Sequence, residues 1–126
     1  MRKIGNGAFC GCANLKRIFL PENIEEIPQG CFCISGLEDI VIPRKVKRIV
    51  GNGNYTGAFY SCENLRSVVF EQGSELVEIG NRAFYRCKNL QNICLPDKLK
   101  EIGLSAFENT SFTEVQVPAN MQIIEP

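Results

Sequence analysis

The chain has 126 residues, 14 basic and 14 acidic side chains for a formal net charge of zero, and no histidine. That length is one domain's worth of chain, and 44% hydrophobic content is ordinary for a globular one. The charge balance excludes an electrostatic nucleic-acid binder, which needs a basic patch to displace counterions, and the lack of histidine excludes histidine triads and histidine metal sites.

The elements repeat. The first unit opens at Ile4 and is anchored by Ala8-Phe9; Cys12 and Leu15 follow, then the apolar run Ile18-Phe19-Leu20, closed by Pro21, then the pair Ile24/Ile27. The second has Cys31-Phe32, Ser35 in the cysteine place, Leu37, Ile40-Val41-Ile42, Pro43 and Val46/Ile49, followed by an insertion from Val50 to Gly57. The third has Ala58-Phe59, Cys62, Leu65 and Val68-Val69-Phe70, with Glu71 where proline stands elsewhere, extra residues Gln72-Gly73-Ser74-Glu75, and Leu76/Ile79. The fourth is the most regular: Ala83-Phe84, Cys87, Leu90, Ile93-Cys94-Leu95, Pro96, Leu99/Ile102. The fifth has Ala106-Phe107, Thr110, Phe112, Val115-Gln116-Val117, Pro118 and Met121/Ile124. The anchors lie 23, 27, 25 and 23 residues apart.

One such unit cannot bury its own apolar positions, so copies must stack into a continuous core. Alternation in each run puts Ile18/Leu20, Ile40/Ile42, Val68/Phe70, Ile93/Leu95 and Val115/Val117 inward. Proline then removes a backbone donor and forces a corner. The second-side pair forms a short extended or irregular edge, and the A-F-x-x-C segment reads as a turn of helix or 3₁₀. The predicted fold is an α/β leucine-rich-repeat solenoid of five coils, each a short parallel strand plus a helical turn, with rungs ~4.8 Å apart. It forms a single domain over residues 1–126. No apolar run approaches the ~18–20 residues of a membrane span. Met1-Arg2-Lys3 leads directly into a repeat position rather than into a signal peptide. Neither end has a polar cap, which a solenoid needs over its last apolar layer. The expectation is a fragment of a longer array, or self-association through uncapped ends.

The units I-G-N-R-A-F-Y-R-C-K-N-L-Q-N-I-C-L-P and I-G-N-G-A-F-C-G-C-A-N-L-K-R-I-F-L-P closely resemble the BspA-like, or Treponema-type, leucine-rich repeat. The resemblance covers nearly the whole chain and rests on eight or more positions recurring in register. It implies a curved solenoid with a parallel sheet on one side, and no catalytic residues to carry over. Family members occur in long surface proteins of bacteria and protozoa, where they look like adhesion modules. That implies a cell-surface or secreted location and a protein partner such as a host or extracellular-matrix protein. Glu71, Cys31 and the long insertion depart from the pattern.

Binding would be read on the outward strand positions. Phe19, Val41, Val69, Cys94 and Gln116 form one outward ladder, and Arg17, Asp39, Ser67, Asn92 and Glu114 the next. A contiguous apolar stripe on a wet face marks an interaction surface, although such residues also simply favour strands. The candidate protein-binding patch is Phe19, Val41 and Val69, rimmed by Arg17 and Asp39. Cys12, Cys62 and Cys87 occupy a core position and read as buried thiols acting as small hydrophobes; like-directed Cβ vectors make a Cys62–Cys87 disulfide awkward. The pairs Cys10/Cys12 and Cys31/Cys33 hold four thiolates that could bind zinc, but at tighter spacing than the usual signature. The alternatives to a binding scaffold are therefore a cysteine-based metal- or redox-responsive module and a structural spacer without a ligand. Asn14, Asn64 and Asn89 precede the repeat leucine and are expected to bond to turn backbone. Asn54 and Asn109 open N-x-S/T sequons, which matter only in a secreted eukaryotic chain. No catalytic residue, phosphate loop or dinucleotide fingerprint is present, and no cofactor is implied.

Overall fold

The burial period dictates a stack, and the phenylalanines build it. In the computed structural model, residues 4–51, 57–112, 114–116 and 122–123 are described. Phe9, Phe32, Phe59, Phe84 and Phe107 stack face to face, with successive centroids 5.4, 5.3, 4.9 and 5.3 Å apart. Coils are numbered here one to five by these anchors. Phe32, Phe59 and Phe84 are fully buried, as are Leu37, Leu65, Leu90 and the second-side residues Ile24, Ile27, Val46, Ile49, Leu76 and Ile79. Equivalent side chains thus form columns along the axis. Burying a large apolar side chain is worth about 1.5–3 kcal/mol.

The described strands are β1 (Glu26–Ile27), β2 (Asp39–Ile42), β3 (Arg48–Ile49), β4 (Ser67–Phe70), β5 (Glu78–Ile79), β6 (Asn92–Cys94), β7 (Glu101–Ile102), β8 (Glu114–Gln116) and β9 (Gln122–Ile123). All pairings are parallel. The continuous sheet is not the one expected. It is the short second side, β1-β3-β5-β7-β9, whereas the apolar runs pair only as β2-β4 and β6-β8. Proline contributes to this difference. Glu71 stands in the closing position of the third coil and donates its N–H to Ile42 O at 3.1 Å; Pro43 and Pro96 have no N–H to close the same bond. Ile18–Leu20 forms no strand. In the last pair Ile102 meets Ile123, one residue earlier than the L-x-x-I spacing places it.

The helical turn is a further correction: no helix occurs among the described residues. The A-F-x-x-C segment is a chain of β-turns closed by bonds such as Cys10 N–H to Gly7 O and Cys12 N–H to Phe9 O. The reason is backbone handedness. The residues two before and two after the anchor have positive φ at Gly7/Gly11, Arg82/Arg86 and Ser105/Asn109, as do Gly30, Ile34 and Ser61 in the coils between. A left-handed residue breaks a right-handed helix. Alternate N–H groups are thereby turned along the axis, and they bond to the next coil. Gly7, Phe9 and Gly11 donate to Gln29, Cys31 and Cys33 at 3.0, 2.8 and 2.8 Å, and Arg82, Phe84 and Arg86 donate to Leu104, Ala106 and Glu108 at 3.0, 2.8 and 2.9 Å. The turns therefore carry an intercoil ladder of their own.

Candidate functional site

The ladder register sets the first candidate surface. Val41 pairs with Val69 across β2 and β4, and Ile40 and Ile42 point the other way into the core. Period-two alternation leaves Val41 and Val69 outward, 50% and 51% exposed, and Phe19 in the first coil is 97% exposed. Cys94 continues the column and is exposed. Arg17 and Asp39 lie beside this column and pair with each other. Arg17 Nη2 lies 3.0 Å from Asp39 Oδ2, Arg66 Nε lies 3.4 Å from Asp39 Oδ1, and Arg66 Nη2 lies 3.9 Å from Glu38 Oε1. The hydrogen bonds and charge of Arg66, with those of Arg17 beside it, hold the Asp39 carboxyl below its ordinary range, against a smaller opposing effect of burial. Arg66 is the rim member that sequence reasoning missed, because alternation puts its neighbour Ser67, not Arg66, in the row of Arg17 and Asp39. The same side holds a hollow of about 430 Å³ lined by Glu38, Asn64, Arg66, Asn89 and Gln91.

A second surface lies outside the continuous sheet. Its trough, of about 860 Å³, is lined by Glu25, Glu26, Lys47, Arg48 and Glu78 among others. Lys47–Glu25 at 3.9 Å and Arg48–Glu26 at 3.8 Å are exposed ion pairs between neighbouring rungs. Each is worth ~0–1 kcal/mol at most.

The cysteines do not form the four-thiolate site. Cys10 and Cys33 are joined in a disulfide with Cα atoms 4.6 Å apart, which removes two of the four ligands; Cys31 faces the core and Cys12 faces solvent. Burial first, and the neighbouring Cys62 second, push the Cys31 thiol up to about 12, so it is not a thiolate at neutral pH. Among the described residues no group of three or more Cys, Asp or Glu is placed to hold a metal. Cys10 and Cys33 are equivalent positions on adjacent coils, so the reservation about like-directed Cβ vectors fails there: the coils approach closely enough for the sulfurs to meet. Cys62 and Cys87, also on adjacent coils, remain buried thiols that lie close enough to interact with each other. Cys62 Sγ donates to Phe32 O at 2.8 Å and Cys87 Sγ to Phe59 O at 3.2 Å, satisfying the anchor carbonyl of the preceding coil. Burial raises the Cys87 thiol well above its ordinary value. The column that holds the disulfide continues as Tyr60 stacked on Tyr85 at 5.3 Å, with Arg82 over the Tyr85 ring.

Asn14, Asn64 and Asn89 are exposed and donate no side-chain bond to turn backbone; their turns close through backbone alone, as Leu15 N–H does to Cys12 O. Asn109 is exposed at a positive-φ turn position, with the Thr110 hydroxyl bonded to Phe107 O at 2.8 Å. Asn54 lies outside the described residues.

Comparison with known proteins agrees with this geometry. The family profile described as the BspA type leucine rich repeat region matches in 6 copies, over residues 1–55 and 54–126. Among solved structures, the T. pallidum leucine rich repeat protein TpLRR is similar at 31% identity and a TM-score of 0.82, over 93% of this chain and 52% of that one. The pneumococcal vaccine antigen PcpA is similar at 28% identity and a TM-score of 0.69, over 78% of this chain and 23% of that one. The chain thus spans about half of the first and about a quarter of the second. No curated protein matches its sequence significantly.

Proposed function

This chain belongs to the BspA-type leucine-rich-repeat family, and we propose that it is a non-catalytic scaffold that binds a protein partner through the face carrying Phe19, Val41 and Val69. One observation carries the reading: a phenylalanine left 97% exposed in line with two half-exposed valines, beside the Arg17–Asp39–Arg66 cluster. Aromatic side chains in the centre and charged pairs at the rim are the anatomy of a binding surface. We read residues 1–126 as one domain of five coils and as a segment of a longer array. The partial coverage of both structural neighbours supports that reading.

The parent protein is assigned to the cell surface or the secreted fraction, and the partner to host-cell or extracellular-matrix proteins. The similarity to a pneumococcal vaccine antigen supports this. So does the Cys10–Cys33 disulfide, because disulfides persist in oxidising compartments. The test is binding of the purified chain to immobilised matrix and host-surface proteins, beside a variant carrying Phe19→Ser with Val69→Ser. The expected result is loss of binding with the circular dichroism spectrum unchanged. Equal binding by a folded double variant, or no binding by the unmodified chain, overturns the reading.

A further inference from the structure

Three residues after each anchor, one column runs through the coils as Cys12, Ser35, Cys62, Cys87 and Thr110. Cys62 and Cys87 are the one pair of thiols that stand on adjacent coils in it, and both are fully buried. The turns hold these two coils close. Phe59 and Phe84, the anchors of the same turns, stack at 4.9 Å, the shortest of the anchor contacts. Phe59 and Ser61, just before Cys62, donate their N–H groups to Ala83 O and Tyr85 O at 2.8 and 2.7 Å. The ~4.8 Å spacing of parallel rungs lies within the roughly 4.4–6.8 Å that separates the Cα atoms of a disulfide. Cys10 and Cys33 show that equivalent positions on adjacent coils of this chain do link, with Cα atoms 4.6 Å apart. The two buried thiols are also unlike. The hydrogen bond with Cys87 holds the Cys62 thiol below its ordinary value, against burial and with help from Ser35, whereas burial first, and Cys62 second, raise Cys87. The strand sides of these coils do not pair, since β4 and β6 belong to separate sheets.

We infer that Cys62 and Cys87 are an oxidative modification site, where a low-molecular-weight disulfide such as oxidised glutathione installs a second intercoil bond that fastens coil three to coil four. The Cys62 thiolate attacks one sulfur of the oxidant RSSR, forming a mixed disulfide and expelling RS⁻. The Cys87 thiol then gives up its proton and attacks Cys62 Sγ, forming the Cys62–Cys87 bond and expelling the second RS⁻. Two cysteine thiols are oxidised, and one RSSR, with the two protons they release, becomes two RSH. Cys62 attacks first because the thiolate is the nucleophile and Cys62 is the more readily ionised of the two. Its burial makes local opening of this junction the route of entry, and the unpaired β4 and β6 leave fewer bonds to break there. Cys31 also neighbours Cys62, but with its thiol pushed up to about 12 it stays protonated. Both coils are internal to the stack, and the site is independent of the face carrying Phe19.

The test is peptide mapping by mass spectrometry of the full chain after incubation with oxidised glutathione, in native buffer and separately in urea, with the monomer isolated before digestion. The expected product in native buffer has lost two hydrogens beyond those of Cys10–Cys33, and the loss maps to a peptide joining Cys62 to Cys87. It is also expected to unfold at a higher urea midpoint than the untreated chain. Exposed Cys12 and Cys94 take up glutathione as added mass, which the map separates from the link. Cys62→Ser, which repeats the Ser35 side chain of coil two, is expected to show neither the hydrogen loss nor the higher midpoint, and Cys87→Ser serves should that variant fail to fold. The inference is overturned if both thiols stay reduced in native buffer or if the link forms only in urea. A mixed disulfide at Cys62 that never passes to Cys87, or a link from Cys62 to Cys31, overturns the pairing. A Cys62–Cys87 link that leaves the midpoint unchanged overturns the fastening of coil three to coil four.

Discussion

Among the described residues six non-glycine residues hold positive φ in the turns, and Ile34, at +55°, is the one whose side chain suits it least. A β-branched side chain in the left-handed region is a steric outlier, and the left-handed conformation costs an L-residue about 1–2 kcal/mol. Ile34 is also 58% exposed, so it recovers little of that cost by burial. Glycine already holds the matching place in the first coil, at Gly11. Ile34→Gly removes the steric term and adds a backbone-entropy cost of about 0.5–1 kcal/mol. The net expectation is a gain of roughly 0.5 kcal/mol, read as a higher denaturation midpoint in urea. A lower midpoint would mean that the Ile34 side chain packs more than its exposure implies. Asp39 shows a different economy: one carboxylate accepts from two arginines on neighbouring coils. A single residue thereby ties the coil carrying Phe19 to the coil carrying Val69.

Among elements, the turn is where sequence and structure part. The columns of Phe, Leu and Ile are legible in the sequence because burial repeats whenever an apolar residue does. Handedness is not legible in the same way: Gly7, Gly11 and Gly30 announce positive φ, but Ser61, Arg82, Arg86 and Ser105 occupy the same places with no such signal. The patch residues Phe19, Val41 and Val69 follow from alternation alone, whereas Arg66 joins the rim through a side-chain direction that alternation does not specify. The Cys10–Cys33 link is equally silent, because the same column holds Tyr60, Tyr85 and Glu108 in the other coils. That link closes a loop spanning 23 residues, and chain entropy then predicts a contribution of about 3 kcal/mol. It fastens only the first coil to the second. Reduction is therefore expected to release the first coil before the rest. Hydrogen exchange should show the Gly7, Phe9 and Gly11 amides losing protection in reductant while those of Phe59 and Phe84 keep it. Uniform loss along the chain would contradict a local tether.

For the molecule as a whole, the stack makes stability a matter of neighbours. Each coil contacts only the coils on either side, so the array behaves as a sum of coil and junction terms rather than as one indivisible core. Position along the axis should then decide what a given substitution does, even when the residue type is the same. Phe59 is fully buried between Phe32 and Phe84, at 5.3 and 4.9 Å. Phe59→Ala opens a cavity at two junctions and is expected to cost about 3–5 kcal/mol. That is a large share of the ~5–15 kcal/mol that holds a domain folded. Among the described residues Phe9 stacks on Phe32 alone, and Phe9→Ala is expected to cost about half as much, with the loss confined to the first coil. Urea denaturation followed by far-ultraviolet circular dichroism measures the first effect as a shift of the main transition. The second should appear as a small pre-transition that leaves the main midpoint in place. Equal shifts of one shared transition would show that the five anchors fold as a single cooperative unit, and the nearest-neighbour account would then fail.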